Sequence, residues 1–221
     1  MELFKNCGDD YIRATSNRNW KTAGDDVQYE LELKNDTLFV HYQCSTSKRD
    51  WINNFNFSPK RVRVTSSSLI KKSLLKTEYV WVHRGLWKAF ISAWATIYQE
   101  LLDVCKNNKV YEIVFDGHSY GGAMAQFSYF VAERRTLLYL ECRTLMRMYA
   151  ETWGAPKVFL RNKYYWVPGR IYQANNDLVP RMPPFYRRYN SVIKVGDKFN
   201  LFKMLKNMEH YHTSYDEYKD E

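Results

Sequence analysis

The chain has 221 residues, of which 45% are hydrophobic, 17% aromatic and 26% charged. This length and composition fit one folded domain over residues 1–221 and exclude collagen-like, low-complexity and disordered chains. The formal net charge of +9 suits an anionic lipid surface or a nucleic acid, but it fits a basic protein with neither partner just as well. No run of about 18 apolar residues is present, so the sequence predicts no membrane-spanning helix.

The N-terminus and the cysteines bear on the cellular compartment. Residues 1–21 are polar and lack the apolar core of a signal peptide. The four cysteines, Cys7, Cys44, Cys105 and Cys142, match neither zinc-binding nor Cys-x-x-Cys spacing. We therefore expect free thiols in an intracellular compartment, with a cytoplasmic, membrane-peripheral or virus-associated location left open, and no metal or cofactor.

The first regular patterns along the chain are those of strands. Residues 27–33 alternate apolar and polar side chains, which is the two-residue period of a strand with one buried face. Residues 37–42 form a second, more apolar strand pattern, and Lys34-Asn35-Asp36 between the two has turn chemistry. Together these patterns predict a hairpin.

Residues 58–76 are distinguished by their positive charge. They hold six lysine and arginine residues and a run of three serines. This composition predicts a solvated surface connection with at most short secondary structure, and contact with a lipid surface is the alternative.

Helices and strands alternate in the rest of the chain. Apolar residues recur every three or four positions over Leu86–Cys105, which predicts an amphipathic helix. A second helix is predicted over Tyr120–Arg134, and strands are predicted over Val110–Phe115, Met146–Trp153 and Arg170–Ala174. The alternation predicts an α/β fold with a mostly parallel central sheet flanked by helices.

A Gly-x-Ser-x-Gly motif lies between a predicted strand and a predicted helix. Its residues are Gly117-His118-Ser119-Tyr120-Gly121, in the strand–turn–helix setting of a nucleophile elbow. The small glycines let the strand turn sharply into the helix, so the serine hydroxyl is exposed at a helix N-terminus that favours developing negative charge. The motif makes Ser119 a candidate nucleophile.

A serine nucleophile needs a base and a group that orients the base. In hydrolases with this elbow the chain order is Ser, then Asp or Glu, then His. Asp177 follows a predicted strand, and only His210 and His212 follow the elbow at a useful distance. The order therefore fits Ser119, Asp177 and His212, with His210 as a rival base and Asp116 as a rival acid.

Five segments and a C-terminal His-x-x-Tyr motif resemble the class 3 lipases, an α/β-hydrolase family that includes fungal triacylglycerol lipases. The resemblance extends over about residues 27–215 and follows the family's order. The segments are Tyr42-Gln43-Cys44-Ser45 with Asp50-Trp51-Ile52-Asn53-Asn54-Phe55, Val82-His83-Arg84-Gly85-Leu86, the elbow with Gly122-Ala123, Thr152-Trp153-Gly154-Ala155-Pro156-Lys157-Val158, and Asn176-Asp177-Leu178-Val179-Pro180-Arg181-Met182-Pro183-Pro184. The resemblance implies an α/β-hydrolase fold with Ser119 as nucleophile, Asp177 as orienting acid and His212, followed by Tyr215, as general base.

The resemblance also implies an oxyanion hole. In the family it combines the backbone N–H after the nucleophile, here Tyr120, with the residue after a Phe-Arg-Gly turn, here Ser45. Each preorganised donor lowers the barrier by about 3–4 kcal/mol. The family's Arg-Gly pair is Gln43-Cys44 here, and cysteine adopts a positive φ only at a cost. We therefore expect a hole of different shape, or one that forms on movement at a lipid surface.

Residues 46–57 stand where fungal relatives have a short amphipathic lid. Trp51, Ile52 and Phe55 would supply the apolar face that an opened lid exposes to lipid. A fixed surface helix packed on the core is the alternative for this lid-like segment.

The sequence predicts a serine-dependent carboxylic ester hydrolase that acts on lipid, with acylglycerol as the substrate that the resemblance implies. Its expected partner is a lipid–water interface or an anionic membrane surface, and no nucleic acid is expected. A phospholipase or small-ester carboxylesterase with the same triad, a catalytically silent lipase-like binding protein, and a basic membrane-surface module are the alternatives. His83 and His118 are expected to be hydrogen-bonded structural residues.

Overall fold

The computed structural model describes residues 18–44, 57–67, 75–134, 147–160, 167–188 and 191–215. The strands in this part of the chain are β1 (Lys21–Ala23), β2 (Val27–Lys34), β3 (Thr37–Tyr42), β4 (Pro59–Ser67), β5 (Leu75–His83), β6 (Glu112–His118), β7 (Arg147–Trp153), β8 (Phe159–Leu160), β9 (Gly169–Ala174), β10 (Tyr186–Arg187) and β11 (Ser191–Val195). The helices are α1 (Arg84–Asn107), α2 (Ser119–Ala132), α3 (Leu201–Lys206) and α4 (Met208–Thr213), with one 3₁₀ turn over Val179–Arg181.

The central sheet has seven strands in the order β1-β2-β3-β6-β7-β9-β11. The predicted hairpin forms its antiparallel end, because β2 pairs with both β1 and β3 in that sense. From β3 to β11 every neighbouring pair is parallel. The predicted α/β fold with a mostly parallel central sheet is therefore confirmed. Parallel strands bring their carboxyl ends to one edge of the sheet, which is where such folds bind ligands.

Helices α1 and α2 cover one face of this sheet with a continuous apolar core. Trp94 and Phe90 of α1 and Phe127 of α2 belong to the same buried cluster as Val40 of β3 and Phe115 of β6. All residues of α2 except Tyr120 are buried. A helix that is buried all round is held by packing on every side, so the start of α2 is fixed against the sheet.

The basic segment 58–76 differs from its prediction. It includes the nine residues of β4 and the start of β5, which form an antiparallel hairpin in a second sheet of order β10-β8-β5-β4. Val62 is buried and stands opposite the buried Val80, while Arg61 is exposed and packs its guanidinium 4.1 Å from the centre of the Tyr79 ring. Arg61 and Arg63 alternate with the inward Val62 and Val64, so this charged segment contains the two-residue period of a strand. The prediction of a mostly unstructured connection is wrong.

The described residues contain no helix that is both long and apolar enough to cross a membrane. The predicted helix over Leu86–Cys105 is confirmed and extends to Arg84–Asn107. Strand β6 begins two residues later than predicted and continues through His118, so it reaches directly to Ser119.

The face of the central sheet opposite the helices carries a buried charge cluster around His41. Its Nδ1 lies 2.9 Å from Asp116 Oδ1 and its Nε2 lies 3.0 Å from Glu32 Oε2. A carboxylate only accepts, so both ring nitrogens of His41 must donate, which is the charged imidazolium form. Burial lowers the pKa of His41, but the charge and hydrogen bond of Asp116, helped by Glu32, outweigh burial and hold the pKa above its ordinary value. The cluster joins β3 to the strand that carries the elbow.

The His41 cluster predicts a pH-dependent stability. A raised pKa in the folded state means that the stabilisation is fully present below the ordinary histidine pKa of about 6.5 and is lost as the pH rises through the raised value. His41→Gln should therefore lower the free energy of unfolding by about 1–3 kcal/mol at acidic pH and by less at alkaline pH. Urea unfolding across this range checks the effect, with the exposed His210→Gln as control. A difference between wild type and His41→Gln that is independent of pH would contradict the assignment.

Candidate active site

Ser119 occupies the junction between β6 and α2 with a strained backbone. Its φ is +52°, a left-handed conformation that non-glycine residues adopt at a cost of about 1–3 kcal/mol. Such a conformation persists only where the surroundings fix it, and here a buried strand and a buried helix fix both sides. The serine is therefore held at a sharp turn at the N-terminus of α2, as the elbow motif predicts.

Gly121 explains why the motif ends in glycine. A Cβ at this position would lie 2.3 Å from the carbonyl oxygen of Tyr42 and 2.9 Å from that of Gln43. Helix α2 therefore approaches the end of β3 so closely that no side chain fits between them. This contact brings the first turn of α2 beside the chain that leads to the predicted oxyanion residue.

The structure brings Ser119, His212 and Asp177 into one hydrogen-bonded chain. Ser119 Oγ lies 2.8 Å from His212 Nε2, and His212 Nδ1 lies 2.9 Å from Asp177 Oδ2. The three side chains come from separate elements: the elbow, helix α4 and the loop after β9. With Nδ1–H donating to the carboxylate, the lone pair of Nε2 faces the serine hydroxyl and can accept its proton.

The carboxylate of Asp177 is fully buried and is held by three donors. Besides His212, Oδ1 accepts from Val179 N at 2.9 Å and Oδ2 accepts from the Tyr215 hydroxyl at 2.6 Å. The same hydroxyl accepts from Ala174 N at 2.9 Å, which ties it to the end of β9. Burial and the charge of Asp177 raise the pKa of Tyr215 well above its ordinary value, so Tyr215 remains a donor at neutral pH.

His118 holds the backbone of the helix that carries His212. Its Nε2–H donates to the His212 carbonyl at 2.7 Å, and the two rings lie 4.6 Å apart between centroids. Burial, with the neighbouring His212, lowers the pKa of His118 well below its ordinary value, so the ring is neutral. His83 caps α1 by accepting from Leu86 N at 3.4 Å, and burial lowers its pKa to about 4. The predicted structural roles of both histidines are confirmed.

Gly154 lies directly beneath the triad. Its φ is +56°, and a Cβ here would lie 3.1 Å from each of Asp177 Oδ2, His118 Nε2 and His212 Cε1. A larger residue would press on the groups that align the triad. The Thr-Trp-Gly-Ala-Pro segment marked this position in the sequence, although Gly154 was not among the predicted site residues.

Arg188 also supports the site, and no sequence pattern indicated it. Its guanidinium donates to the carbonyl of Pro180 at 2.7 Å and to the carbonyl of Ala155. These bonds join the loop that contains Gly154 to the loop that contains Asp177. Burial lowers the pKa of Arg188 to about 10, against the opposing influence of Tyr215 and Asp177, so the group is still charged at neutral pH.

The rival base and the rival acid lie elsewhere. His210 is exposed, and its Nδ1 lies 3.1 Å from Ser214 Oγ. Asp116 pairs with His41 on the other face of the sheet. Neither side chain contacts Ser119 in the part of the chain that the structure describes.

The predicted oxyanion hole is described only on the helix side. The backbone N–H of Tyr120 belongs to the first turn of α2, where N–H groups have no intrahelical acceptor. Ser45 lies outside the described residues, as do Trp51, Ile52 and Phe55 of the predicted lid.

The Gln43-Cys44 pair has no positive φ at either residue, whereas the shape of the oxyanion hole that it precedes lies outside the described residues. Among described residues other than glycine, only Asp26, Asn35 and Ser119 have positive φ, so Cys44 keeps an ordinary conformation. Its thiol is free, and burial raises its pKa to about 11, which makes it a poor nucleophile at neutral pH. Cys105 is likewise a thiol and not part of a disulfide, whereas Cys7 and Cys142 lie outside the described residues.

Comparisons with known proteins identify the family and the fold. The family model described as Lipase (class 3) matches residues 39–187, which is 149 of the 221 residues and includes Ser119 and Asp177 but ends before His212. Solved structures similar to this chain include the Rhizomucor miehei triacylglyceride lipase, with a TM-score of 0.60 at 19% identity over 81% of this chain. A propeptide complex of the Rhizomucor miehei lipase gives 0.62 at 18% over 81%, and lipase II from Rhizopus niveus gives 0.51 at 20% over 75%.

The chain spans only part of these proteins, since it covers 66%, 55% and 60% of their respective lengths. At such identities the structural likeness establishes the α/β-hydrolase fold. The family model covers two thirds of the chain and contains the elbow and the Asp177 loop. The chain belongs to the class 3 lipase family.

Proposed function

We propose that this protein is a serine-dependent carboxylic ester hydrolase that acts on lipid esters. The observation that carries the proposal is the hydrogen-bonded chain from Ser119 Oγ through His212 to the buried Asp177, with distances of 2.8 and 2.9 Å. This arrangement is the one that acyl transfer by a serine nucleophile requires. Membership in the class 3 lipase family supports a lipid ester as substrate.

The proposed reaction proceeds through an acyl-enzyme. His212 Nε2 accepts the Ser119 hydroxyl proton while Oγ attacks the ester carbonyl carbon, and the negative charge that forms on the carbonyl oxygen faces the Tyr120 N–H, with Ser45 as the second predicted donor. The intermediate collapses as His212 returns the proton to the leaving alcohol. Water, deprotonated by His212, then attacks the acyl carbon. The bond between this carbon and Ser119 Oγ breaks, His212 returns the proton to Oγ, and the fatty acid leaves. Asp177 accepts the hydrogen bond from Nδ1–H and stabilises the charged imidazole in both steps.

Acylglycerol is our proposed substrate, because the family resemblance implies it and a neutral ester needs no headgroup site. Fatty acid release by the full chain should be measured on emulsified triacylglycerol, on phosphatidylcholine vesicles and on a dissolved short-chain ester, with Ser119→Ala as the blank. We expect the fastest release from the emulsion. Release from the vesicles alone would establish a phospholipase, and activity on the dissolved ester alone would establish a small-ester carboxylesterase. Activity on none of them would contradict the proposed hydrolase and leave the silent binding protein.

Tyr215 should contribute to catalysis through Asp177. Tyr215→Phe removes the 2.6 Å hydrogen bond to Asp177 Oδ2 and leaves Ala174 N without its buried acceptor. Hydrogen bonds to charged groups are worth about 1.5–3 kcal/mol, so we expect kcat/KM to fall about tenfold or more and the free energy of unfolding to fall by a similar 1.5–3 kcal/mol. Ester hydrolysis and urea unfolding measure the two effects. Tyr211→Phe, another buried tyrosine near His212, is the matched control, and equal losses in both variants would contradict the specific role.

A further inference from the structure

Helix α3 presents its apolar residues to solvent. Leu201, Phe202 and Leu205 are exposed to 57%, 73% and 59% of their full areas, whereas Met204 is buried and anchors the helix. A surface helix normally turns its apolar side toward the core. Adjacent large apolar side chains on the surface indicate contact with another molecule.

Positive charge borders this apolar surface. At about 100° per residue, the three apolar side chains span about 100° of the helix circumference, and Lys206 and Lys203 continue the arc. Lys203 pairs with Asp197 at 2.9 Å. Across residues 191–208 there are four lysines and one aspartate, and each of these five side chains is exposed. An apolar surface with a cationic border is the pattern of a segment that lies in a lipid headgroup layer.

The exposed helix is tied to the proposed triad at both ends. At its start, Asn176 Oδ1 accepts from Asn200 N at 2.7 Å, and Asn176 is the residue before Asp177. At its end, α3 leads through Asn207 into α4, which carries His212. The guanidinium carbon of Arg181, in the loop that contains Asp177, lies 4.5 Å from the centre of the Phe199 ring. Whatever binds α3 therefore lies beside the edge of the sheet where Ser119 is held.

We propose that α3 and its flanking lysines, residues 198–208, dock this protein on the surface of an anionic lipid bilayer. The exposed Phe202 and Leu205 enter the headgroup boundary, and Lys198 and Lys206 contact the acidic headgroups. Charge complementarity selects this occupant, because the net charge of +9 and the lysines around α3 both favour an anionic surface. The inference rests on the proposed function in one respect, namely that the acylglycerol substrate is met at the docked surface.

Vesicle sedimentation tests the docking surface independently of hydrolysis. The full chain with Ser119→Ala is mixed with vesicles of phosphatidylcholine alone, or of phosphatidylcholine and phosphatidylserine in a four-to-one ratio. We expect binding to the mixed vesicles that weakens with salt and is at least about tenfold weaker to phosphatidylcholine alone. Adding Phe202→Ser with Leu205→Ser should weaken binding about tenfold or more. Lys198→Ala with Lys206→Ala should weaken it about tenfold, and only to the acidic vesicles.

A matched control comes from the opposite edge of the sheet. Tyr111 is 40% exposed just before β6, and the ammonium group of Lys109 lies 4.9 Å from the centre of its ring. The pair Tyr111→Ser and Lys109→Ala removes one aromatic and one lysine far from α3, and we expect it to leave vesicle binding unchanged. Circular dichroism of each variant verifies folding.

Three results would overturn the docking proposal. The first is that the α3 variants bind vesicles as tightly as the parent chain does. The second is that the Tyr111 control loses as much vesicle binding as the α3 variants. The third is that the chain binds no vesicles and instead forms a concentration-dependent dimer that dissociates in the α3 variants. Failure of the proposed hydrolase appears elsewhere, as lack of activity by the wild type on every ester. A protein without activity that still binds acidic vesicles through α3 would refute the enzyme and retain the docking surface.

Discussion

Replacing Ser119 with alanine is expected to lower kcat toward a dissolved ester by about 10⁶-fold, the loss found when a triad serine is removed. The reason is that alanine lacks Oγ, the atom that forms the 2.8 Å hydrogen bond with His212 Nε2. Without it His212 has no proton to accept and no acyl-enzyme forms. Initial rates over a range of substrate concentrations measure the effect.

Ser128→Ala is the matched control for this experiment. Ser128 lies on the same helix, is fully buried, and its hydroxyl lies 2.6 Å from the Tyr42 hydroxyl. Its loss should cost about 1 kcal/mol of stability and leave the chemistry intact. Hydrolysis by Ser119→Ala at more than a few per cent of the wild-type rate would contradict the assignment of Ser119 as nucleophile.

Asp177→Asn is expected to lower kcat about 10⁴-fold at neutral pH. An amide can donate to the ring nitrogen it faces, so His212 would adopt the tautomer that presents N–H, rather than a lone pair, to Ser119. In this orientation the amide oxygen takes the place of Oδ1 and still accepts from Val179 N, whereas the amide nitrogen takes the place of Oδ2, so the Tyr215 hydroxyl loses its acceptor as well. The kinetics should show the loss in kcat, with a smaller change in KM.

Asp116→Asn tests which carboxylate orients the base, because the sequence pattern alone left both Asp116 and Asp177 as candidates. Asp116 faces His41 at 2.9 Å, on the other side of the sheet from His212. This substitution should reduce stability most at acidic pH, where His41 is charged, and change kcat by less than about tenfold. A larger loss of kcat in Asp116→Asn than in Asp177→Asn would reverse the assignment of the acid.

The sequence predicted the elements whose local pattern agrees with their tertiary role. The hairpin of β2 and β3, the helix α1 and the elbow each have the periodicity or the glycines that their final structure requires. The motif and the chain-order rule fitted Ser119, Asp177 and His212 with His210 and Asp116 still open, and the family resemblance implied the first three. The structure places these three side chains in contact.

Other features depend on contacts between distant residues, so local patterns could not show them. Strand β4 was not predicted, because the arginines that alternate with its valines make the segment look like a charged surface connection. Its apolar side is recognisable only once β5 pairs with it, and the local sequence does not show this pairing. Arg188 has no motif, and its function in joining two loops appears only when Ala155 and Pro180 lie side by side. The exposed face of α3 was also missed, since a six-residue helix is too short to establish a period.

The measurement that tests the central claim most directly is covalent labelling of the serine. A phosphonate ester reacts with a serine only where a neighbouring base activates it, and the adduct imitates the tetrahedral intermediate. Intact-mass spectrometry followed by peptide mapping should show one phosphonate per chain, located on Ser119, and none in Ser119→Ala. Loss of labelling in His212→Ala, with labelling retained in His210→Ala, would identify the base. An unlabelled wild-type chain, or an adduct on a residue other than Ser119, would contradict the proposed serine hydrolase.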